Sequence, residues 1–374
     1  MRVAFIIDGP LDQVSGGYLY DARLVETLRN SGHRVEIVSL PQGSYLRRMA
    51  GSFHPGLLDR LQAYGADVIV EDELSHPGLL ALNARLRLRS RAPIIALVHH
   101  LRCSEPAPRL LRSVYSLVER RYLRGVDGFI FNSQATRRVV QAMVGAGQPA
   151  VVASPAGDRF QSRLTEDDIR RRAHAPGPLR LLFLGNLVRR KGLMTLLEAL
   201  AAKPAPSALL AVAGDGRFEP SFAAAVKRRA ERLGLARRVE WLGALYDSAL
   251  AERLAASQVL VVPSMYEGFG IAYLEGMAFG LPAIGGSDGG ASEVIRDGEN
   301  GFLVRPGDVA ALADRLRLLA DDRMRLESLS ITALQTFRIH PTWSQTGETI
   351  RRFLYEQTIS PGAAAHLTLK EKTA

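Results

Sequence analysis

Short apolar runs alternate with longer amphipathic stretches along most of the chain. In the first half Val3–Ile7, Arg34–Ser39, Val68–Val70, Ile94–Val98, Phe129–Asn132 and Ala150–Ala153 read as strands, with helical stretches between them. That alternation predicts βαβ units and parallel sheets, an α/β fold, rather than a sandwich or a helical bundle. Two prolines and a glycine in Ala173-His-Ala-Pro-Gly-Pro178 then interrupt helix and delay the next strand, Arg180–Leu184. The scheme repeats from there to about Ala320. The pattern therefore predicts one domain over 1–173, a second over 179–340, a late helix within 341–358 that follows Pro341, and a tail over 359–374.

A chain of 374 residues is too long for one ordinary core, which agrees with two domains. The run Met1-Arg-Val-Ala-Phe-Ile-Ile7 has only about five apolar residues before Asp8, below the usual signal-peptide core, so it reads as a buried strand. No stretch approaches the roughly 20 apolar residues that span a bilayer. The single cysteine, Cys103, excludes a disulfide framework and a Cys-rich metal site. Together these predict a cytoplasmic protein, soluble or peripheral on the inner face of the plasma membrane.

The most informative stretch runs from Ser264 to Pro282, where Glu267 and Glu275 stand eight apart. The apolar run Val259–Val262 ends at Pro263, and a glycine-punctuated turn leads into a helical stretch, Ile271–Phe279. One carboxylate then lies on the turn and the other about one turn inside the helix, at the carboxyl end of a parallel strand, where open α/β sheets bind ligands. Gly268 and Gly270 allow close backbone approach, and a helix amino terminus suits a diphosphate. A nucleotide sugar, with hydroxyls at both ends and phosphates in the middle, fits this arrangement.

This segment resembles the signature of retaining glycosyltransferases with the GT-B fold, family 4. The resemblance covers nearly the whole chain. Ser15-Gly16-Gly17 resembles the first glycine loop, Pro93–His99 the strand that ends in an active-site histidine, and Phe183–Gly192 the diphosphate-binding turn. Val212–Gly216, Glu240–Gly243, Asp288–Glu293 and Gly298–Val304 resemble later strands and loops of the carboxyl domain. The resemblance implies two Rossmann-like domains with parallel sheets facing across a cleft that holds the active site, and a late helix returning to the amino-terminal domain.

It also implies roles. Glu267 hydrogen-bonds the donor sugar near the anomeric carbon, Glu275 binds the nucleotide ribose, and His99 contacts the sugar near the reaction centre. Phe269, Gly270, Ile271, Arg190 and Lys191 bind the donor, with Lys191 neutralising departing phosphates. Gly16 and Gly17 take donor phosphate or acceptor. Asn186 falls where the family usually carries arginine, so one phosphate cation is missing and Arg189 or Arg190 is left to compensate. The mechanism implied is front-face departure of the nucleoside diphosphate with no protein nucleophile, from a UDP- or GDP-linked sugar. Each residue also has a plainer reading: Glu267 as a helix cap, Lys191 as a solvated lysine, His99 as a structural histidine.

Glu71-Asp-Glu73 follows the strand Val68–Val70, where it could bind acceptor hydroxyls or form a solvated acidic loop. It is not an Asp-x-Asp metal motif, and none occurs in the chain, so no metal and no cofactor beyond the co-substrate are expected. The motifs do not select the acceptor, for which a lipid-linked molecule and a glycan both stay open. A nucleotide-sugar 2-epimerase on a similar fold and a non-catalytic basic binding protein are the rival readings.

The formal net charge of +10 is unevenly spread. Between Arg85 and Arg138 twelve arginines face three carboxylates, an excess of nine. Within that stretch Leu110, Leu111, Val114, Leu117 and Val118 recur at helical spacing, while Arg109, Arg112, Arg120 and Arg124 point largely elsewhere. Such a helix either covers an ordinary core or approaches an anionic membrane or acceptor. No nucleic-acid module accompanies the arginines.

Overall fold

The computed structural model describes residues 1–11, 15–41, 43, 45, 48, 56–160 and 164–359. The tail expected beyond Ile359 lies outside them. The chain forms two compact units: Met1–Pro155 together with the chain from Trp343, and Ala156–Thr342.

The first unit is built on β1 (Arg2–Asp8), β2 (Arg34–Leu40), β3 (Val68–Asp72), β4 (Ile94–Val98), β5 (Gly128–Phe131) and β6 (Ala150–Val152). Among the described residues they form one parallel sheet in the order β2-β1-β3-β4-β5-β6. Helices cover both faces, so β3 and β4 are buried at every residue and their sequences run apolar without alternation. From β1 the chain goes outward to β2, then crosses to the other side of β1 for β3. The loops leaving β1 and β3 therefore part at their carboxyl ends and open the crevice in which such sheets bind ligands. The helix Trp343–Thr358 belongs to this unit. Its Gly347 abuts Thr27 of the helix Gly16–Asn30, and Thr346 Oγ1 donates to the Ser154 carbonyl at 2.7 Å.

The second unit repeats the design with β7 (Leu179–Leu184), β8 (Ala208–Ala213), β9 (Val239–Gly243), β10 (Val259–Val262), β11 (Ala283–Gly286) and β12 (Gly301–Val304). The order is β12-β11-β10-β7-β8-β9, again parallel, so the switch point falls between β7 and β10.

One boundary differs from the sequence expectation. The chain passes between units at Pro155, not at Ala173–Pro178. The helix Glu166–Ala173 is fastened to the second unit, with Ile169 buried against Gly280 and Arg172 donating to the carbonyls of Phe279 at 2.6 Å and Ala255 at 3.1 Å. The Pro-Gly-Pro break is a turn inside that unit. Local helix-breaking residues mark where a helix ends, whereas a domain edge is set by tertiary contacts.

Candidate active site

In the second unit the loops after β7 and β10 meet through charge. Lys191, in a short 3-10 turn ahead of the helix Leu193–Leu200, donates to Glu267 Oε2 at 2.8 Å. Ser264 Oγ donates to the same oxygen at 2.8 Å, and Arg190 Nη1 stands 3.7 Å from Oε1. Burial alone would push the Glu267 carboxyl up, but Lys191, Arg190 and the two hydrogen bonds outweigh it and hold it at about 2. Glu267 is thus a buried carboxylate, ionised throughout the physiological range. Burial lowers Lys191, and Glu267 opposes that shift. Of the two arginines offered for the cation missing beside Asn186, Arg190 joins this cluster. Arg189 turns outward, its guanidinium 5.4 Å from the Phe222 ring.

The Glu267 loop rests on glycines. A Cβ at Gly286 would come within 1.8 Å of the Ser264 carbonyl oxygen, one at Gly289 within 2.0 Å of the Glu267 oxygen, and one at Gly290 within 2.3 Å of the Gly268 oxygen. The Gly290 N–H donates to the Glu267 carbonyl at 2.7 Å, and the Glu267 N–H to the Asp288 carbonyl at 3.2 Å. The Asp288-Gly-Gly290 segment is therefore the bed on which the loop lies. Gly192 is tied in similarly, with Pro263 O 2.0 Å from where its Cβ would be.

Gly270, at φ +102°, precedes the helix Ile271–Met277 that carries Glu275. Phe269 is buried with its ring 5.9 Å from that of His340, and Ile271 is half-buried. Glu275 is buried too, and burial raises its pKa while Arg159, with Nε 3.1 Å from Oε1, pulls it back. Sequence reasoning missed Arg159. No motif surrounds it, and only the fold brings it to Glu275.

In the first unit the β1 loop ends at Ser15, whose Oγ caps the helix Gly16–Asn30 by accepting from the Tyr18 N–H. A Cβ at Gly17 would lie 3.3 Å from His99 Cδ2, so this glycine leaves room for the imidazole. His99 is buried directly after β4, its Nε2 3.0 Å from Asp21 Oδ1. Burial works against a charged ring. The carboxylates of Asp21, Asp72 and Glu73 win, raising His99 to about 9, so it is an imidazolium donating to Asp21 at neutral pH. Asp21 was not expected from sequence either. Its partner lies 78 residues away, and a lone aspartate inside an amphipathic helix gives no signal.

The Glu71–Glu73 segment is not the solvated acidic loop that sequence allowed, because all three side chains are buried at the end of β3. Glu71 turns inward, accepting from Asn83 Nδ2 at 3.0 Å and Tyr122 OH at 3.1 Å, and burial pushes it up to about 7. Burial likewise raises Asp72, and raises Glu73 to about 8. Two triads, Asp21-Asp72-His99 and Glu73-His76-Glu119, each place ligand-capable atoms within 4.8 Å of one another. The imidazolium already compensates charge in the first. In the second, burial drives His76 down to about 4 and Glu119 up to about 7, so neutral forms lower the charge.

Paired parallel sheets, each with charged residues at its switch point, define a GT-B architecture. Sucrose-phosphate synthase from Thermosynechococcus elongatus shares it with a TM-score of 0.79 at 23% identity, over 95% of this chain and 98% of that one. HepE from Anabaena, solved with UDP and glucose, gives 0.74 at 20% identity over 95% and 99%. Residues 16–158 match Glycosyltransferase Family 4 and residues 165–335 match Glycosyl transferases group 1. The chain belongs to this family of glycosyltransferases. It is 28% identical to a phosphatidyl-myo-inositol mannosyltransferase of Mycobacterium leprae over 97% of this chain and 98% of that protein. It is 25% identical to the sulfoquinovosyl transferase SQD2 of Arabidopsis thaliana over 96% and 74%. A putative glycosyltransferase of Bacillus subtilis, EpsD, is 38% identical, but the match spans 37% of this chain and 35% of EpsD. The epimerase reading finds no support among these relatives.

Proposed function

We propose that this glycosyltransferase moves a hexosyl group from a UDP- or GDP-linked sugar to a hydroxyl of a lipid-linked or glycan acceptor, with retention of configuration and without a metal ion. The observation that carries the reading is the buried, ionised Glu267 held by Lys191 and Arg190 at the β7–β10 switch point.

The reaction breaks the bond between the anomeric carbon and the diphosphate oxygen, and negative charge grows on the departing phosphate. Fixed cations in a poorly hydrated crevice are suited to that charge and need no reorganisation as it develops. Lys191 and Arg190 supply two, which removes the need for a divalent ion. Glu267 accepts hydrogen bonds from the sugar ring hydroxyls and faces the developing positive charge at the anomeric carbon. Glu275, oriented by Arg159, accepts from the ribose. His99, fixed by Asp21, donates to the sugar. The acceptor hydroxyl attacks the face the diphosphate leaves, its proton passing to a departing phosphate oxygen, so no covalent sugar–protein bond forms.

The names of two relatives, the phosphatidyl-myo-inositol mannosyltransferase and the sulfoquinovosyl transferase, support a lipid-linked acceptor. A thermal-shift panel of UDP-, GDP-, ADP- and dTDP-sugars identifies the donor, and proton NMR of the product in excess EDTA reads the anomeric outcome. Stabilisation by one nucleotide class and a retained anomer formed in EDTA are expected. An inverted product, or loss of turnover restored by added metal, overturns the mechanism.

A further inference from the structure

Three residues of the helix Gly16–Asn30 meet the imidazole of His99. Gly17 leaves room beside Cδ2, Asp21 takes Nε2, and the ring of Tyr20 stands against the imidazole with centroids 5.3 Å apart and planes at 80°. Positions 17, 20 and 21 are spaced i, i+3 and i+4, so one face of the helix supplies all three. The Asp21 bond by itself does not settle the plane of the imidazole. Nε2 lies close to the line of the Cβ–Cγ bond, so rotation about that bond moves it little while swinging Nδ1 through a wider arc. Nδ1 bonds to none of the described residues, which leaves it as the nitrogen with a proton to offer a substrate. Its direction depends on what stops the rotation. Edge-to-face contact with Tyr20 does so, because it favours one angle between two rings as well as one distance.

Tyr20 is buried and is itself held at two further points. Its hydroxyl donates to the Ala153 carbonyl at 2.7 Å, and the Trp343 ring packs on its ring at 5.6 Å with planes at 78°. Ala153 lies two residues before Pro155, where the chain leaves this unit, and Trp343 is the residue at which it returns. Thr346 bonds to Ser154 beside them, so the two passages are tied to each other as well as to Tyr20. Filling this space would need only an apolar side chain. A phenol bonded at its far end and packed against two rings is instead confined to one orientation.

We infer that Tyr20 is a positioning residue for the transfer reaction: it sets the plane of the His99 imidazole so that Nδ1 is held toward the sugar, and Trp343 holds Tyr20 in place. The helix Trp343–Thr358 thereby acts on the reacting group through two aromatic contacts, without contributing a side chain to the candidate active site. The inference rests on the reading that His99 donates to the donor sugar.

Steady-state kinetics of Tyr20→Phe, Tyr20→Leu and Trp343→Leu, each made in the parent and in His99→Ala, test it, with imidazole NMR of histidine-labelled full chain as a second readout. In the parent background Tyr20→Leu should lower kcat roughly ten- to a hundredfold, the scale of a small misplacement of a reacting group, with donor KM within about twofold. Trp343→Leu should lower kcat about three- to tenfold, and Trp343→Phe, which keeps a ring against Tyr20, should restore most of that loss. Tyr20→Phe loses only the bond to Ala153 and should fall between the parent and Tyr20→Leu. In His99→Ala none of these changes should lower kcat further, because a group that acts only through His99 has nothing left to orient. The His99 signals, assigned by their absence from His99→Ala, should broaden or double in Tyr20→Leu. Tyr20→Phe keeps the ring and should melt close to the parent, so the comparison of backgrounds survives if Tyr20→Leu does not fold. Equal fractional losses in both backgrounds, or unchanged His99 signals in the Tyr20 and Trp343 variants, overturn the inference. If His99→Ala itself keeps the parent kcat, the role given to His99 in transfer fails instead, and the NMR signals alone then decide whether Tyr20 holds the ring.

Discussion

Lys191 Nζ and Glu267 Oε2 stand 2.8 Å apart and tie together the loops that leave the two central strands, β7 and β10, of the second sheet. Removing two charges from water is costly, and their mutual attraction seldom returns much net stability. Such a pair is better understood through what it positions. Here it holds a carboxylate and two cations at the place where diverging loops expose the strand ends.

If Glu267 acts in the transition state and Glu275 mainly holds ribose, the two carboxylates should separate kinetically. Glu267→Gln is expected to lower kcat roughly a hundredfold or more with little change in donor KM, whereas Glu275→Gln should chiefly raise donor KM. Lys191→Ala should weaken nucleoside diphosphate binding more than nucleoside binding. Steady-state kinetics and calorimetry with both ligands check this, and small, equal effects of the two Gln variants at saturating donor would remove the role assignment.

The His99–Asp21 pair predicts a stability that declines on the alkaline side. A histidine raised to about 9 in the folded chain stabilises it fully below its unfolded value of 6.5, and that contribution is lost as pH rises through 9. Glu71, Glu73 and Glu119 add to the same slope. Their folded values of about 7, 8 and 7 lie above the unfolded 4.5, so they favour the fold fully below pH 4.5 and lose that contribution as pH rises from there to about 7 or 8. Melting temperature should fall from about pH 4.5 to 9, and Asp21→Asn should make the part between 6.5 and 9 shallower by removing the leading cause that raises His99. An unchanged slope in the variant would mean the imidazole is not held charged by Asp21.

How much of this was legible in the sequence depends on how local the cause is. Val259–Val262 and Ile94–Val98 were expected at the bounds the structure shows, because continuous apolar runs are local properties. The Glu267 loop was legible through its resemblance to a family signature, whereas the backbone contacts that demand glycine at 286, 289 and 290 beneath it appear only in the fold. Periodicity showed that Leu110, Leu111, Val114 and Leu117 share a face but not which way that face points, since orientation is decided by what Glu119 and Tyr122 bond inside the unit. Charge in Glu71-Asp-Glu73 allowed an acceptor site or a solvated loop, and the second fails because helices on both faces of the sheet bury the end of β3. Asp21 with His99, and Arg159 with Glu275, are pairs made only by tertiary structure.

Gly289 and Gly307 contrast a glycine pressed by backbone, at φ +92° and ψ −142°, with one in open space. Both have positive φ, +92° and +79°, but a Cβ at Gly289 would strike the Glu267 carbonyl oxygen at 2.0 Å while one at Gly307 would meet nothing within 4 Å. Gly307→Ala should cost only about 1 kcal/mol, the price of the left-handed conformation, and leave activity intact. Gly289→Ala adds a clash with backbone that no rotamer change relieves. It should destabilise by more than about 2 kcal/mol or lift the Glu267 loop, lowering kcat as Glu267→Gln does. Urea denaturation and steady-state rates of the two variants decide it, and equal behaviour would show that the glycine bed does not position Glu267.

Arg159 and Glu275 give a prediction whose sign depends on pH. Burial raises the Glu275 carboxyl and Arg159 restrains it, so Arg159→Met should let its pKa climb further. A carboxyl raised in the folded state favours the fold below its unfolded value and loses that contribution as pH rises through the folded one. The variant should therefore be nearly as stable as the parent at pH 5 and less stable at pH 8, where a buried carboxylate is left without its cation. The loss should be at most about 3 kcal/mol, the low end for breaking a buried pair, because 24% of the Arg159 side chain is open to solvent. Adding Glu275→Gln to Arg159→Met removes the unpaired charge and should recover most of the loss at pH 8, which a double-mutant cycle measured at both pH values isolates from packing. Additive losses with no recovery would show that Arg159 acts through its contact with the Phe160 ring, 4.4 Å from its guanidinium, and not through Glu275.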